Sequence, residues 1–100
     1  LLPTVMAYNA EYTGEKYKDI AKAMGVKGVD DMSVEEYRKA AVDAVRQLAE
    51  DVGIPTTLKG IVKEEDIPAL AESAYADACR PGNPRDTSVE EIAELYKSLM

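Results

Sequence analysis

The stretch Cys79-Arg80-Pro81-Gly82-Asn83-Pro84-Arg85 lies between two predicted helices and contains the only cysteine of the chain. Its two prolines each fix the backbone angle φ and remove a hydrogen-bond donor, while its glycine and asparagine adopt turn conformations that other residues avoid. The stretch therefore predicts a rigid loop that holds Cys79, Arg80 and Arg85 in fixed directions. Its simplest interpretation is a tight connection between two helices, in which the arginines are solvated or pair with nearby carboxylates.

The same helix-capping sequence occurs twice in the chain. Ser88-Val89-Glu90-Glu91 follows the loop, and Ser33-Val34-Glu35-Glu36 occurs earlier. In this capping box the serine side chain accepts a hydrogen bond from the backbone of the second glutamate, whose side chain can reach back. The earlier box begins a predicted helix over about residues 34–52, which Gly53 ends and Pro55 prevents from continuing. The later box begins the last helix.

Three further helices are predicted. The first covers Leu1–Asn9, the second is capped by Thr13 and ends at Gly25, and the third starts at Asp66-Ile67-Pro68. Loops are expected at 26–31 and at 56–63, the latter with one helical turn. The apolar residues recur at helical spacing, and no stretch alternates with the period of two that is typical of strands. The sequence therefore predicts an all-α fold of about five helices with short loops, as a single all-helical domain or subdomain over residues 1–100.

The composition restricts what can form the core. The chain has 100 residues, of which 46% are hydrophobic, and its six aromatic residues are all tyrosine. This hydrophobic fraction is ordinary for a small globular domain and higher than that of disordered chains. We therefore expect a core of Leu, Ile, Val, Ala and Met, with the tyrosine rings at its edges.

The charge balance and the single cysteine bear on partners and compartment. The net charge of −7 gives an acidic surface that repels phosphate backbones, so no nucleic-acid partner is expected. No apolar run approaches the roughly 20 residues that cross a bilayer, and no membrane association is expected. One lone cysteine suits a reducing compartment, so a cytoplasmic location is expected.

The residue types argue against a catalytic centre within this chain. It has no histidine, which is the commonest general base, and with one cysteine it cannot assemble a zinc site of the usual kind. The carboxylate clusters at Glu35-Glu36 and Glu64-Glu65-Asp66 occupy predicted first turns of helices, where acids interact favourably with the helix dipole. A small enzyme that uses these carboxylates is therefore the least favoured interpretation, and no catalytic residue and no metal ligand is assigned.

Four stretches together resemble the C-terminal region of the iron-containing (group III) alcohol dehydrogenases. They are Leu1-Leu2-Pro3-Thr4-Val5-Met6-Ala7-Tyr8-Asn9, then Gly14-Glu15-Lys16-Tyr17 with Ile20-Ala21 and Met24-Gly25, then Asp51-Val52-Gly53-Ile54-Pro55, and last Asp77-Ala78-Cys79-Arg80-Pro81-Gly82-Asn83-Pro84-Arg85. The resemblance covers essentially the whole chain and is closest to the lactaldehyde reductase (1,2-propanediol oxidoreductase) branch of the family.

This resemblance implies the architecture and chemistry of a complete enzyme. Family members have an N-terminal α/β domain that binds NAD and an all-helical C-terminal domain that holds a divalent iron through one aspartate and three histidines. The iron polarises the alcohol or carbonyl oxygen, and hydride passes between the substrate carbon and the nicotinamide. The resemblance thus implies NAD and iron as cofactors of the complete enzyme, and oxidation or reduction of short-chain alcohols, diols and aldehydes.

The departure from the family concerns the metal ligands. The last histidine ligand of the family precedes the Leu1–Asn9 block, and the present sequence has no histidine. We therefore expect no cofactor bound to this chain alone and no activity from it. One residue is carried over to a site: Cys79, whose family counterpart lies near the nicotinamide. The alternative for Cys79 is a small buried apolar residue, and Arg80 and Arg85 are interpreted as residues that shape the loop.

Two interpretations of the whole chain stay open at this point. In the first, the chain is the C-terminal fragment of a larger alcohol dehydrogenase. Its exposed apolar face then packs against the remainder of the parent enzyme or drives self-association. In the second, it is an autonomous helical interaction module without catalysis, which presents a groove to a partner helix.

Overall fold

Five α-helices make up the fold in a computed structural model of the chain, which describes residues 1–55 and 57–100. They are α1 (Leu2–Asn9), α2 (Lys16–Ala23), α3 (Val34–Asp51), α4 (Ile67–Tyr75) and α5 (Val89–Ser98). Short 3-10 turns occur at Ala10–Tyr12, Val29–Asp31, Glu64–Asp66 and Arg80–Gly82. Within these described residues there is no β-strand, and the predicted all-α fold is confirmed.

The helices fall into two compact units. The first unit, Leu1–Thr56, contains α1, α2 and α3, and the second unit, Thr57–Met100, contains α4 and α5. The single domain expected from the sequence stays a prediction, and the loop predicted at 56–63 begins at Thr56, outside the described residues. Throughout the described part of the chain, none of the helices combines the length and the hydropathy that a membrane span needs.

Glycine determines where α2 and α3 end. After α3, Gly53 has φ +81°, and its N–H donates to the Glu50 carbonyl at 3.1 Å. The N–H of Ile54 donates to the Ala49 carbonyl at 2.8 Å, so that Ile54 folds back on the last turn. The same pair of bonds closes α2 at Gly25, whose φ is +85°. This bonding pattern is the Schellman motif, which requires a left-handed residue that only glycine supplies without strain.

The serines of both predicted capping boxes cap the N-termini of α3 and α5. The backbone N–H of Glu36 donates to Ser33 Oγ at 3.2 Å, and that of Glu91 donates to Ser88 Oγ at 3.1 Å. Each serine hydroxyl in turn donates to the side chain of the same glutamate. A serine cap of this kind stabilises a helix by typically about 1 kcal/mol. The predicted start of the longest helix at residue 34 is confirmed.

The predicted cap at Thr13 is wrong. The Thr13 hydroxyl donates to the Ala10 carbonyl at 2.9 Å, and α2 begins at Lys16 after Glu15 with no side-chain cap. The reason is that the chain leaves α1 through the 3-10 turn Ala10–Tyr12. Thr13 follows that turn and lies two residues before the N-cap residue Glu15, so its hydroxyl is not at the N-cap position of α2.

The core of the first unit corrects the expectation that tyrosine rings lie at the core's edges. Tyr17 is 5% exposed and Tyr37 is 3% exposed, and both belong to the buried cluster. The other members of this cluster are Met6, Ala21, Val29, Ala41 and Val42. Because no Phe or Trp is available, tyrosine supplies the large apolar surface at the centre of this unit.

The two buried tyrosine hydroxyls differ in their partners. The Tyr17 hydroxyl donates to the Met6 carbonyl near the end of α1 at 2.7 Å. This carbonyl is available because the N–H of Ala10 turns to the Ala7 carbonyl. Burial raises the pKa of Tyr17, and the positive charge of Arg38 opposes that rise with a smaller effect. The Tyr37 hydroxyl is buried and has no hydrogen-bond partner among the described residues.

A surface ion pair connects α2 to the 3-10 turn that follows it. Lys22 Nζ lies 2.7 Å from Asp30 Oδ1, and Lys18 Nζ lies 3.6 Å from the same oxygen. The hydrogen bond from Lys22, followed by its charge, lowers the pKa of Asp30, and the same bond raises the pKa of Lys22. The groups are exposed, so this pair orients the turn rather than stabilising the fold strongly.

The second unit is built by α4 and α5 packing on each other. Pro68 lies in the first turn of α4, as predicted. The N–H of Leu58 donates to the Leu99 carbonyl at 2.9 Å, which joins the start of this unit to the end of α5. The buried residues of the unit are Ile67, Ala71, Ile92 and Leu99.

Candidate functional site

The candidate site is the loop that joins α4 to α5 in the second unit. Its first part is organised by Asp77, whose carboxylate oxygen accepts the backbone N–H of Cys79 at 2.7 Å. The Asp77 carbonyl accepts the N–H of Arg80 at 3.1 Å. Aspartate forms such a bond to the backbone two residues on and so mimics a turn. The position of Cys79 is therefore determined by a bond within its own loop.

Arg80 fastens this loop to the end of α4. Its Nε–H donates to the Tyr75 carbonyl at 2.6 Å, and its guanidinium carbon lies 4.1 Å from the centre of the Tyr75 ring. A guanidinium in contact with an aromatic ring is attracted to it, and a positive charge is favoured at the C-terminus of a helix. The predicted loop-shaping role of Arg80 is confirmed in this geometry.

Arg85 and Asn83 organise the second part of the loop. The Asn83 side-chain amide donates to the Arg85 carbonyl at 2.7 Å. The Arg85 guanidinium lies 3.6 Å from a carboxylate oxygen of Glu91 in the first turn of α5. The predicted pairing of an arginine with a nearby carboxylate is therefore confirmed for Arg85. Both arginines are engaged in holding the loop between its two helices.

Cys79 has a free, exposed thiol. The alternative that it is a small buried residue is wrong for this chain, because Cys79 is exposed on a loop that Asp77 and Arg80 hold in place. An exposed thiol on a rigid loop can contact a ligand that lies against that loop, or react with an electrophile. Its assignment to cofactor binding stays a prediction.

The described residues do not form a site that fits a metal ion. Within residues 1–55 and 57–100 no group of three or more His, Cys, Asp or Glu side chains comes together. Glu35 and Glu36 lie in the first turn of α3, and Glu64, Glu65 and Asp66 form a 3-10 turn. These carboxylates therefore lie at helix starts, where negative charge interacts favourably with the helix dipole. The iron that the resemblance implies has no ligand set in the described part of the chain.

Two contacts of the site are not apparent from the sequence reasoning. One is the bond of Asp77 to the Cys79 backbone, and the other is the contact of Arg80 with Tyr75. The bond to the Cys79 backbone could have been found from the sequence, because Asp77 lies two residues before Cys79, just after a helix, where aspartate often bonds the backbone two residues on. The second brings together residues five apart, which helical spacing does not pair.

Comparison with known proteins gives consistent matches over the whole chain. The model of the "Fe-containing alcohol dehydrogenase family, C-terminal" matches residues 1–100. Lactaldehyde reductase of Escherichia coli (strain K12) is 60% identical over 97 residues, which are 96% of this chain and 25% of that protein. A 1,3-propanediol dehydrogenase of Citrobacter freundii is 40% identical over 98 residues, which are 97% of this chain and 25% of that protein.

A solved structure matches the chain in its fold as well as in its sequence. The crystal structure of a 1,3-propanediol oxidoreductase superposes with a TM-score of 0.93 at 36% identity. The match covers 99% of this chain and 26% of the other chain. The chain thus spans about a quarter of the length of the relatives that it matches, and its helices have the fold of the corresponding quarter.

Proposed function

The chain belongs to the Fe-containing alcohol dehydrogenase family, and on this premise we propose that it is the C-terminal helical part of an NAD-dependent, iron-containing alcohol dehydrogenase. The complete protein then interconverts short-chain alcohols or diols and the corresponding aldehydes, with lactaldehyde as the leading substrate. The observation that carries the proposal is the 60% identity to a lactaldehyde reductase over 96% of this chain. The lone cysteine supports a cytoplasmic location of that protein.

In this proposal, the chain contributes a scaffold and one loop rather than the reacting groups. When bound, iron supplies a Lewis acid and NAD supplies the hydride acceptor. The chain has no histidine, so the metal ligands come from the remainder of the parent polypeptide. The bonds of Asp77 and Arg80 hold the Cys79 loop in one shape, so it can form a wall against which a bound cofactor lies.

The first test of the proposal uses a hybrid protein, in which this chain replaces the matching quarter of the E. coli lactaldehyde reductase. We expect the hybrid to produce NADH from NAD and 1,2-propanediol in the presence of iron, measured by absorbance at the nicotinamide band. The isolated chain under the same conditions is expected to give no NADH above the blank, because it lacks the imidazole ligands of the family's iron site.

Two results would count against this proposal. A hybrid that is folded by circular dichroism, but produces no NADH when the unmodified reductase does, would contradict the proposed parent activity. NADH production by the isolated chain would contradict its predicted inactivity. The unmodified reductase is the positive control, and a reaction without added alcohol corrects for slow reduction by other components.

The proposed contact of Cys79 with the cofactor has its own test in the hybrid. Changing Cys79→Val removes the thiol and adds a branched apolar side chain to the loop that Asp77 holds. If the loop forms a wall of the nicotinamide site, the KM for NAD rises several-fold while the melting temperature is unchanged, since the position is exposed here. Ala78→Val, at the neighbouring exposed position, is the control. Equal KM values for NAD in all three hybrids would show that Cys79 is not at the cofactor.

A further inference from the structure

The inference concerns the last turns of α3, where the apolar stripe of the helix is uncovered. At roughly 100° per residue, Tyr37, Ala41, Leu48 and Val52 project within an arc of roughly 60° around α3. Tyr37 and Ala41 are buried in the core, whereas Leu48 is 50% exposed and Val52 is 63% exposed. The same face of one helix is therefore core at its beginning and surface at its end.

The lengths of the helices explain this change along α3. α3 has 18 residues and is roughly 27 Å long at 1.5 Å per residue. Its two partners, α1 and α2, have 8 residues each and are roughly 12 Å long. The buried residues of α3 are Tyr37, Ala41 and Val42, all in its first half. The partners thus cover the beginning of α3, and its last turns extend beyond them.

Ile54 enlarges this apolar surface. It is 56% exposed, and its backbone N–H bonds back to the Ala49 carbonyl, which places it against the last turn of α3. We name the surface formed by Leu48, Val52 and Ile54 the uncovered stripe. Leu48 and Val52 lie one helical turn apart on the same face, and exposed apolar side chains so placed favour the packing of another protein segment.

We propose that the uncovered stripe is the docking surface for the part of the parent polypeptide that lies outside this chain, which rests on the proposed function. The matched relatives are about four times as long, because this chain spans 25% of the lactaldehyde reductase and 26% of the propanediol oxidoreductase. The docking segment is a helix with apolar side chains on one face. It packs on the last turns of α3 and so extends the core that α1 and α2 form on the first turns.

A second copy of the chain fits this surface less well. Three side chains are far fewer than the roughly 20 to 30 residues that each partner contributes to a standard interface. A net charge of −7 also makes two copies repel each other. A segment of the same polypeptide needs neither a large interface nor favourable net charge to stay bound, since the covalent link gives it a high effective concentration. A small apolar surface is then sufficient to hold it.

The test compares thiol accessibility in the isolated chain and in the hybrid with the E. coli reductase. Val52→Cys places a small thiol on the uncovered stripe, and Glu50→Cys places one on the exposed opposite side of α3. Alkylation by N-ethylmaleimide is followed at each site by peptide mass spectrometry, which separates these thiols from Cys79. In the isolated chain the two introduced thiols are expected to react at similar rates. In the hybrid, the thiol at position 52 is expected to react at least about ten-fold more slowly than that at position 50.

The outcomes separate this inference from the proposed function. Protection at position 52 in a hybrid that makes no NADH would support the docking surface and contradict the activity. Equal labelling at positions 50 and 52 in the hybrid would overturn the docking surface, whatever the activity. Protection at position 52 that already occurs in the isolated chain, and disappears on dilution, would also overturn it, since a second copy would then be the occupant.

Discussion

Replacing Ile67 by alanine is expected to lower the free energy of unfolding of the second unit by about 2–5 kcal/mol. Ile67 is 1% exposed at the start of α4, and it is the largest fully buried side chain of the described residues. Its truncation removes buried methyl groups and leaves a cavity that the two packed helices can only partly fill. Urea denaturation followed by far-ultraviolet circular dichroism measures the change.

The same substitution at Ile61 is the matched control. Ile61 belongs to the same unit but is 73% exposed, so Ile61→Ala is expected to change the free energy of unfolding by less than about 0.5 kcal/mol. Equal losses from Ile67→Ala and Ile61→Ala would mean that the packing of α4 on α5 differs from that described here.

Removing the hydroxyl groups of the two buried tyrosines is expected to have opposite effects. Tyr17→Phe leaves the Met6 carbonyl without the donor that lies 2.7 Å away, so the first unit is expected to lose about 1–3 kcal/mol. Tyr37→Phe removes a buried hydroxyl with no partner among the described residues. The first unit is then expected to unfold at the same or a higher urea concentration, since the desolvation cost of that hydroxyl disappears.

The pH dependence of stability provides a second measurement on Tyr17. Burial raises the pKa of Tyr17 in the folded state, so the neutral hydroxyl stabilises the fold fully below the unfolded pKa of about 10. This contribution is lost as the pH rises through the higher folded value. Tyr17→Phe should therefore lose less stability between neutral and alkaline pH than the unsubstituted chain.

The comparison of the two tyrosine variants at neutral pH tests the hydrogen-bond partners of their hydroxyls. A lower urea midpoint for Tyr37→Phe than for Tyr17→Phe would contradict the assignment of these partners.

The ends of the helices could be predicted because local interactions determine them. Ser33 and Ser88 each satisfy backbone donors within one helical turn, and Gly53 supplies a positive φ that few other residues adopt. Thr13 is also a capping residue type, but the chain makes a 3-10 turn after α1 and α2 starts only at Lys16, so Thr13 is not at its N-cap. This type of reasoning therefore fails where an additional turn shifts the first residue of a helix.

Burial was harder to predict than helix position. The Tyr17 hydroxyl depends on a carbonyl 11 residues away, and no local pattern indicates that this carbonyl is available. The helical stripe identifies the face on which Leu48 and Val52 lie, but their exposure depends on the lengths of α1 and α2. In the loop, the shaping role of Arg80 was predicted, whereas its aromatic partner Tyr75 was not.

The division into two units has a consequence for folding kinetics. In the first unit, α1 and α2 find their partner α3 within about 50 residues of chain, and in the second unit α4 and α5 are separated by a short loop. Contacts between residues close in sequence close short chain loops, and proteins dominated by such contacts fold in microseconds to milliseconds. Because domains form as units during synthesis, N-terminal part first, the first unit can acquire its tyrosine core while the ribosome is still adding α4 and α5.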